Sequence, residues 1–269
     1  MLSRAAILLT IFFCTGLAGP VSANTPPCTL SSSQEVELIS KSREGEAISI
    51  VAHLINPVGN GPFPALVLLH GMPGGLQPRY LCIAEKMVAW GYAALVIDSN
   101  SSPLRNRGRS IGSYLDIEQA QDAHQGRIWL AAKHYVDGKR IGVVGWSKGS
   151  SAALAAISNH WFKYNGKSDG VDKEGPFDAA VGIYPSCFDQ IEDLSTLLLL
   201  LIGAKDSTVS ARYCQEMLRK TSSTHDVELK VYPDAGHGFD GPWSGWSRKG
   251  SAASASKSRI REFLAKHLN

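Results

Sequence analysis

A serine sits between two glycines in the run Gly145-Trp146-Ser147-Lys148-Gly149. The stretch before it, Arg140 to Val144, is apolar and β-branched; the stretch after it, Ser150 to Ile157, is rich in small residues. Strand, tight turn, helix is the setting in which a serine hydroxyl is lifted clear of a sheet and can act as a nucleophile. Glycines two before and two after keep Cβ atoms out of the neighbouring strand and helix. The helix N-terminus adds N–H donors and partial positive charge beside the hydroxyl. The competing reading is a glycine-rich turn whose serine only caps the helix.

A serine hydroxyl is a weak nucleophile until a base takes its proton. Histidine suits that task because its ordinary pKa lies near neutrality, and a buried carboxylate fixes the tautomer it needs. His237 lies between two glycines in Asp234-Ala235-Gly236-His237-Gly238-Phe239, just after the last apolar strand pattern. His124 and His134 fall in a helical pattern, His53 in an early strand, and His160, His225 and His267 lack comparable flanks. Asp206 follows the strand pattern Leu197 to Ile202 and is the expected acid. Its rival is Asp234, which is better suited to shaping the turn that leads to His237. The order serine, acid, histidine is one in which an acyl-transfer relay occurs.

An acyl transfer also needs donors aimed at the oxyanion. The run His70-Gly71-Met72-Pro73-Gly74-Gly75 follows the first central strand, so the amides of Met72 and Lys148 are the expected pair, with His70 orienting the loop. Trp146, Trp243, Trp246 and Met72 are candidate pocket walls, and Ser99 to Tyr114 a candidate arch over one side. Arg105, Arg107 and Arg109 form a local basic cluster that reads either as a solvated loop or as an anion-binding rim.

These residues have to be carried by regular elements. Glu35–Ile39 and Ala47–Leu54 alternate as half-exposed antiparallel strands do. Ala65–Leu69, Tyr92–Ile97, Ala179–Tyr184, Thr196–Ile202 and Val227–Tyr232 are apolar runs of buried-strand length. Helical patterns fall at Tyr80–Trp90, Tyr114–Tyr135, Ala211–Lys220 and Ser254–His267, the second with Ile117, Ala120, Ile128, Leu130 and Ala131 on its inner side. Asn159–Phe177 reads as a surface excursion. Alternation of strand and helix predicts an α/β fold with a mostly parallel sheet covered on both faces. The connection between Tyr184 and Thr196 is too short for a large helical lid.

Taken together, Leu69-His70-Gly71, Gly145-Trp146-Ser147-Lys148-Gly149, Gly203-Ala204-Lys205-Asp206 and Gly236-His237-Gly238-Phe239 resemble an α/β hydrolase. The compact layout, the His-Gly-Phe ending and Val96-Ile97-Asp98-Ser99 with the Pro103–Gly108 loop are similar to the dienelactone hydrolase family, over about Glu46 to Leu268. That family carries cysteine as nucleophile, whereas this chain has Ser147. Its substrate-carboxylate arginine has no matched position here, and Arg105, Arg107 and Arg109 are only candidates. The resemblance implies a serine hydrolase acting on small carboxylic esters or lactones through an acyl-enzyme. An exported peptidase or amidase is the alternative, and a non-catalytic binding module on the same scaffold is a third.

The chain is 269 residues, enough for one large domain, and its net charge of +3 is dispersed, so a nucleic-acid partner is not expected. Residues 1–23 combine a basic start, an apolar core of leader length and a small-residue cleavage pattern at Val21-Ser22-Ala23. The expectation is export to the periplasm or medium, a domain spanning 24–269, and no stable membrane insertion after leader removal. Four cysteines then remain, and Cys187 with Cys214 and Cys28 with Cys82 are the favoured pairs, against a reading of free buried thiols. No metal-ligand spacing is present and no cofactor is expected, because hydrolysis needs only water as second acceptor. Oligomeric state is left open.

Overall fold

Five consecutive apolar residues, Ala65 to Leu69, are all fully buried, because both faces of their strand are covered. Ala65, Val67 and Leu69 point into one core, while Leu66 and Leu68 point into the other. Burying such a side chain contributes about 1.5–3 kcal/mol, which is why the run cannot be an edge or a loop. The computed structural model describes residues 33–72, 75–105, 107–108, 116–158, 176–187, 193–194, 196–223, 225–241 and 251–269.

The strands are β1 (Gln34–Lys41), β2 (Ala47–Ile55), β3 (Phe63–Leu69), β4 (Ala93–Asp98), β5 (Val136–Trp146), β6 (Ala179–Ile183), β7 (Asp193–Leu194), β8 (Leu197–Gly203), β9 (Ser222–Ser223) and β10 (Val227–Tyr232). The main sheet has eight strands in the order β1-β2-β4-β3-β5-β6-β8-β10. The β1–β2 and β2–β4 pairings are antiparallel and the remaining ones parallel. β7 and β9 form a separate two-stranded ladder.

The helices are α1 (Pro78–Val88), α2 (Asp116–Ala131), α3 (Lys148–Ala156), α4 (Ala211–Lys220) and α5 (Ser251–Leu268). α1 and α5 cover one face, with Ile83, Met87, Ile260 and Leu264 in the core; α2, α3 and α4 cover the other, with Ala120, Ala123, Leu154 and Met217. The carboxyl ends of β3, β5, β6, β8 and β10 therefore gather at one edge of the sheet, the place where open α/β sheets bind ligands.

The buried face of α2 differs from its apolar pattern. Glu118, Gln119, Asp122, His124 and Arg127 are buried, whereas Ile117, Ile128 and Ala131 are only partly so. Hydrogen bonds and ion pairs add to the apolar contacts of Ala120 and Leu130, which are fully buried as expected. His124 donates its Nε2–H to the Ala156 carbonyl at 2.9 Å, tying α2 to the end of α3. Burial pushes its pKa down to about 3, from an ordinary value of 6.5. The folded protein thus holds His124 neutral while the unfolded chain protonates below 6.5. Its stabilising contribution is present above 6.5 and is lost as pH falls towards 3, at up to about 1.4 kcal/mol per pH unit. Urea midpoints between pH 7 and 4 should therefore fall less steeply in His124→Gln than in the parent.

Candidate active site

Ser147 lies between β5 and α3 with φ 52° and ψ −117°. A Cβ at Gly145 would overlap the Gly149 carbonyl, so only glycine permits the chain to turn back this sharply. A Cβ at Gly149 would meet the Leu69 and His70 carbonyls. The Ser147 amide donates to the Ile183 carbonyl at 2.9 Å, and its own carbonyl accepts the amides of Ser150 and Ser151 at the start of α3. The turn is anchored on both sides, and the hydroxyl stands at the sheet edge.

The structure brings Ser147, His237 and Asp206 together. Ser147 Oγ lies 3.0 Å from His237 Nε2, and His237 Nδ1 lies 2.9 Å from Asp206 Oδ2. Asp206 has a fully buried side chain, and its other oxygen accepts the amides of Thr208 at 2.9 Å and Val209 at 3.0 Å. A carboxylate with these neighbours accepts Nδ1–H, which leaves Nε2 as the acceptor for the serine hydroxyl. Asp234, the rival acid, is 83% exposed and pairs with Lys205 at 2.8 Å, away from the imidazole.

The loop after β3 lies directly against Ser147: a Cβ at Gly71 would stand 3.1 Å from Ser147 Cβ. The Gly71 amide is engaged, donating to the Tyr80 hydroxyl at 2.8 Å. Met72 follows, half exposed, and Lys148 opens α3, where amides lack intrahelical acceptors. His70 is fully buried. Its Nε2 accepts the Ser99 amide at 3.2 Å, so its Nδ1 carries the proton and donates to the Gly71 carbonyl at 3.1 Å. Burial lowers its pKa, which keeps it neutral in this orienting position.

Two expected pocket residues need correction. Trp146 is fully buried; it meets Tyr80 edge-on and donates its indole N–H to Asp240 at 2.8 Å, so it is core beneath the site and not a wall of it. Arg105 is fully buried too. It pairs with Asp122 and with Glu118 at 3.6 Å and donates to the Lys41 carbonyl at 3.1 Å, which pins the loop to β1 and α2 and leaves nothing for an anion rim. Arg107 is exposed and lies 3.4 Å from Glu46. Trp243, Trp246, Arg109, the 109–115 part of the expected arch, residues 159–175 of the surface excursion and the 1–23 leader lie outside the described residues.

Arg105→Met should destabilise the fold by about 3–5 kcal/mol, because it strands two buried carboxylates. The check is a urea midpoint, alongside KM of the folded fraction, which should stay at the parental value.

Cys187 and Cys214 are bonded, joining the segment after β6 to α4. Cys82 is also disulfide-bonded, and Cys28, the partner expected for it, lies outside the described residues. Disulfides of this kind are compatible with export. Among the described residues no helix is long and apolar enough to cross a membrane, and no cluster of His, Cys, Asp or Glu could hold a metal.

Sequence reasoning did not single out Arg79, Tyr80, Tyr184 or Asp240, which pack beneath Ser147 and His237. Asp240 stands three residues after His237, the one local signal that could have pointed to it.

A sheet of this order with helices on both faces is the α/β-hydrolase fold. It is similar to Thermogutta terrifontis esterase 2 (TM-score 0.66, 15% identity, covering 89% of this chain and 94% of that one). It is also similar to the Pyrococcus furiosus esterase Pf2001 (TM-score 0.63, 19% identity, 91% and 95%). The model of the dienelactone hydrolase family matches residues 50–268, and the chain belongs to that family. It is also 25% identical over 208 residues to the "Probable dipeptidyl-aminopeptidase B" of Arthroderma benhamiae. That alignment takes in 66% of this chain but only 22% of the relative's length.

Proposed function

We propose that the protein is a serine hydrolase that cleaves small carboxylic esters or lactones through an acyl-enzyme. The observation that carries this reading is the continuous relay from Ser147 Oγ through His237 to the buried Asp206 carboxylate. Ser147 attacks the carbonyl while His237 Nε2 takes its proton. Asp206 holds Nδ1–H and offsets the imidazolium charge. The amides of Met72 and Lys148 bind the oxyanion. His237 then protonates the departing alcohol, and water, activated by the same imidazole, releases the acid.

Serine in place of the family's cysteine favours this division of labour, because a hydroxyl needs the base at the moment of attack. The same reading makes residues 1–23 an export leader and 24–269 the hydrolase domain.

The test is labelling by a fluorophosphonate followed by peptide mapping. Adduct on Ser147 is the expected result; an unlabelled protein would leave only a binding module on this scaffold. The dipeptidyl-aminopeptidase likeness favours a second reading, an amidase or peptidase. Matched p-nitrophenyl esters and p-nitroanilides separate the two, with faster ester turnover expected.

A further inference from the structure

Among the described residues two non-glycines have positive φ, Ser147 at 52° and Tyr184 at 43°. They are neighbours. Ser147 follows Trp146 at the end of β5 and Tyr184 follows Ile183 at the end of β6, and Trp146 and Ile183 are register partners. The Tyr184 amide donates to the Leu201 carbonyl at 2.7 Å, so this backbone is held inside the ladder. Side-chain-bearing residues persist in that region only where their surroundings over-determine them, and such places cluster at functional sites.

For Tyr184 the surroundings are specific. Its hydroxyl donates to Asp240 Oδ1 at 2.7 Å and accepts from Arg79 at 3.2 Å. Asp240 Oδ2 accepts the Trp146 indole N–H at 2.8 Å and lies 3.8 Å from Arg79. Burial pushes the Tyr184 hydroxyl well above its usual range, so it remains a donor. Each arm of this network ends at a loop of the site. Trp146 precedes Ser147. Asp240 closes the loop that begins with His237. Tyr80, next to Arg79, takes the Gly71 amide. The Tyr184 ring lies 4.7 Å from the His237 ring, tilted by 58°.

We propose that Tyr184 is a positioning residue for His237, locked by Asp240, which ties the nucleophile turn and the histidine loop to one buried carboxylate. The proposal rests on the serine-hydrolase reading above. Tyr184 is 2% exposed, so it acts through the imidazole and not on substrate. The Oγ–Nε2 line is made by groups from two separate loops. Slack of the order of 1 Å between them costs about a hundredfold in rate.

The test compares Tyr184→Phe, which keeps the ring and deletes the hydroxyl, with Tyr184→Leu, which deletes the ring face as well. The readouts are kcat and KM on p-nitrophenyl butyrate, the rate of fluorophosphonate labelling at Ser147, and Tm. kcat should fall about 10-fold in Tyr184→Phe and about 100-fold in Tyr184→Leu, with KM within about threefold and labelling falling in step. A merely structural role would lower Tm and leave kcat of the folded protein parental. If Tyr184→Leu does not fold, Tyr184→Phe and Asp240→Asn carry the comparison. Folded variants that label and turn over at parental rates would overturn the proposal while leaving the serine mechanism intact. A parent protein that fails to label overturns the serine mechanism, and this proposal falls with it.

Discussion

Ser147→Ala is expected to lower ester turnover by about five to six decades and to abolish fluorophosphonate labelling, while far-UV spectra and the urea midpoint stay near parental values. The size follows from what the substitution removes. His237 and Asp206 remain, but with no hydroxyl to activate they have nothing to do in the acylation step. What is left is substrate binding and the oxyanion donors, which give a residual acceleration of about three decades over water. The fold is insensitive because alanine keeps the Cβ and therefore the same backbone strain at φ 52°. The anchoring bonds of the turn are made by the Ser147 amide and carbonyl, which the substitution leaves in place. Pre-steady-state measurements with p-nitrophenyl butyrate separate the outcomes. A burst in the parent and none in the variant supports the acyl-enzyme; near-parental rates in the variant would exclude Ser147 as nucleophile.

The parts of this molecule that were legible in its sequence are those whose physics is local. The α/β architecture could be read because buried parallel strands such as Ala65–Leu69 are apolar on both faces, and because most of them are followed by a helical pattern. The turn at Ser147 could be read because two flanking glycines are a steric necessity there, as the Gly145–Gly149 clash shows. Choosing between Asp206 and Asp234 from sequence meant weighing a strand end against a turn; in the structure the first is buried on the imidazole and the second faces water.

Long-range charge pairing was not legible. Arg105 reads as one of three surface arginines, yet it is drawn into the interior by Glu118 and Asp122, an i, i+4 pair on the buried face of α2. Trp146 reads as an aromatic beside the nucleophile, hence a pocket wall; alternation along β5 turns its ring into the α1 side of the sheet. Neither is fixed by local pattern: the partners of Arg105 lie on α2 and at the end of β1, and the side Trp146 takes depends on which helices cover each face of the sheet.

Asp206→Asn is expected to lower kcat by about four decades with little change in fold. The carboxylate does two jobs in this structure. Oδ1 accepts the Thr208 and Val209 amides, and Oδ2 faces His237 Nδ1. Asparagine has one acceptor and one donor group. Two amide donors fix its carbonyl oxygen on the Thr208 and Val209 side, so its NH2 must face the imidazole. Nδ1 is then obliged to accept, and the neutral ring carries its proton on Nε2, pointing at Ser147. The base has become a donor towards the hydroxyl it should deprotonate. The loss is therefore one of tautomer and not of placement, which makes it separable from a folding defect. The Ser147–His237 distance should persist, KM should change little, and Asp234→Asn, on a carboxylate exposed beside Lys205, should turn over normally. Measured kcat for the two asparagine variants decides it: equal, near-parental values would mean that Asp206 does not set the imidazole.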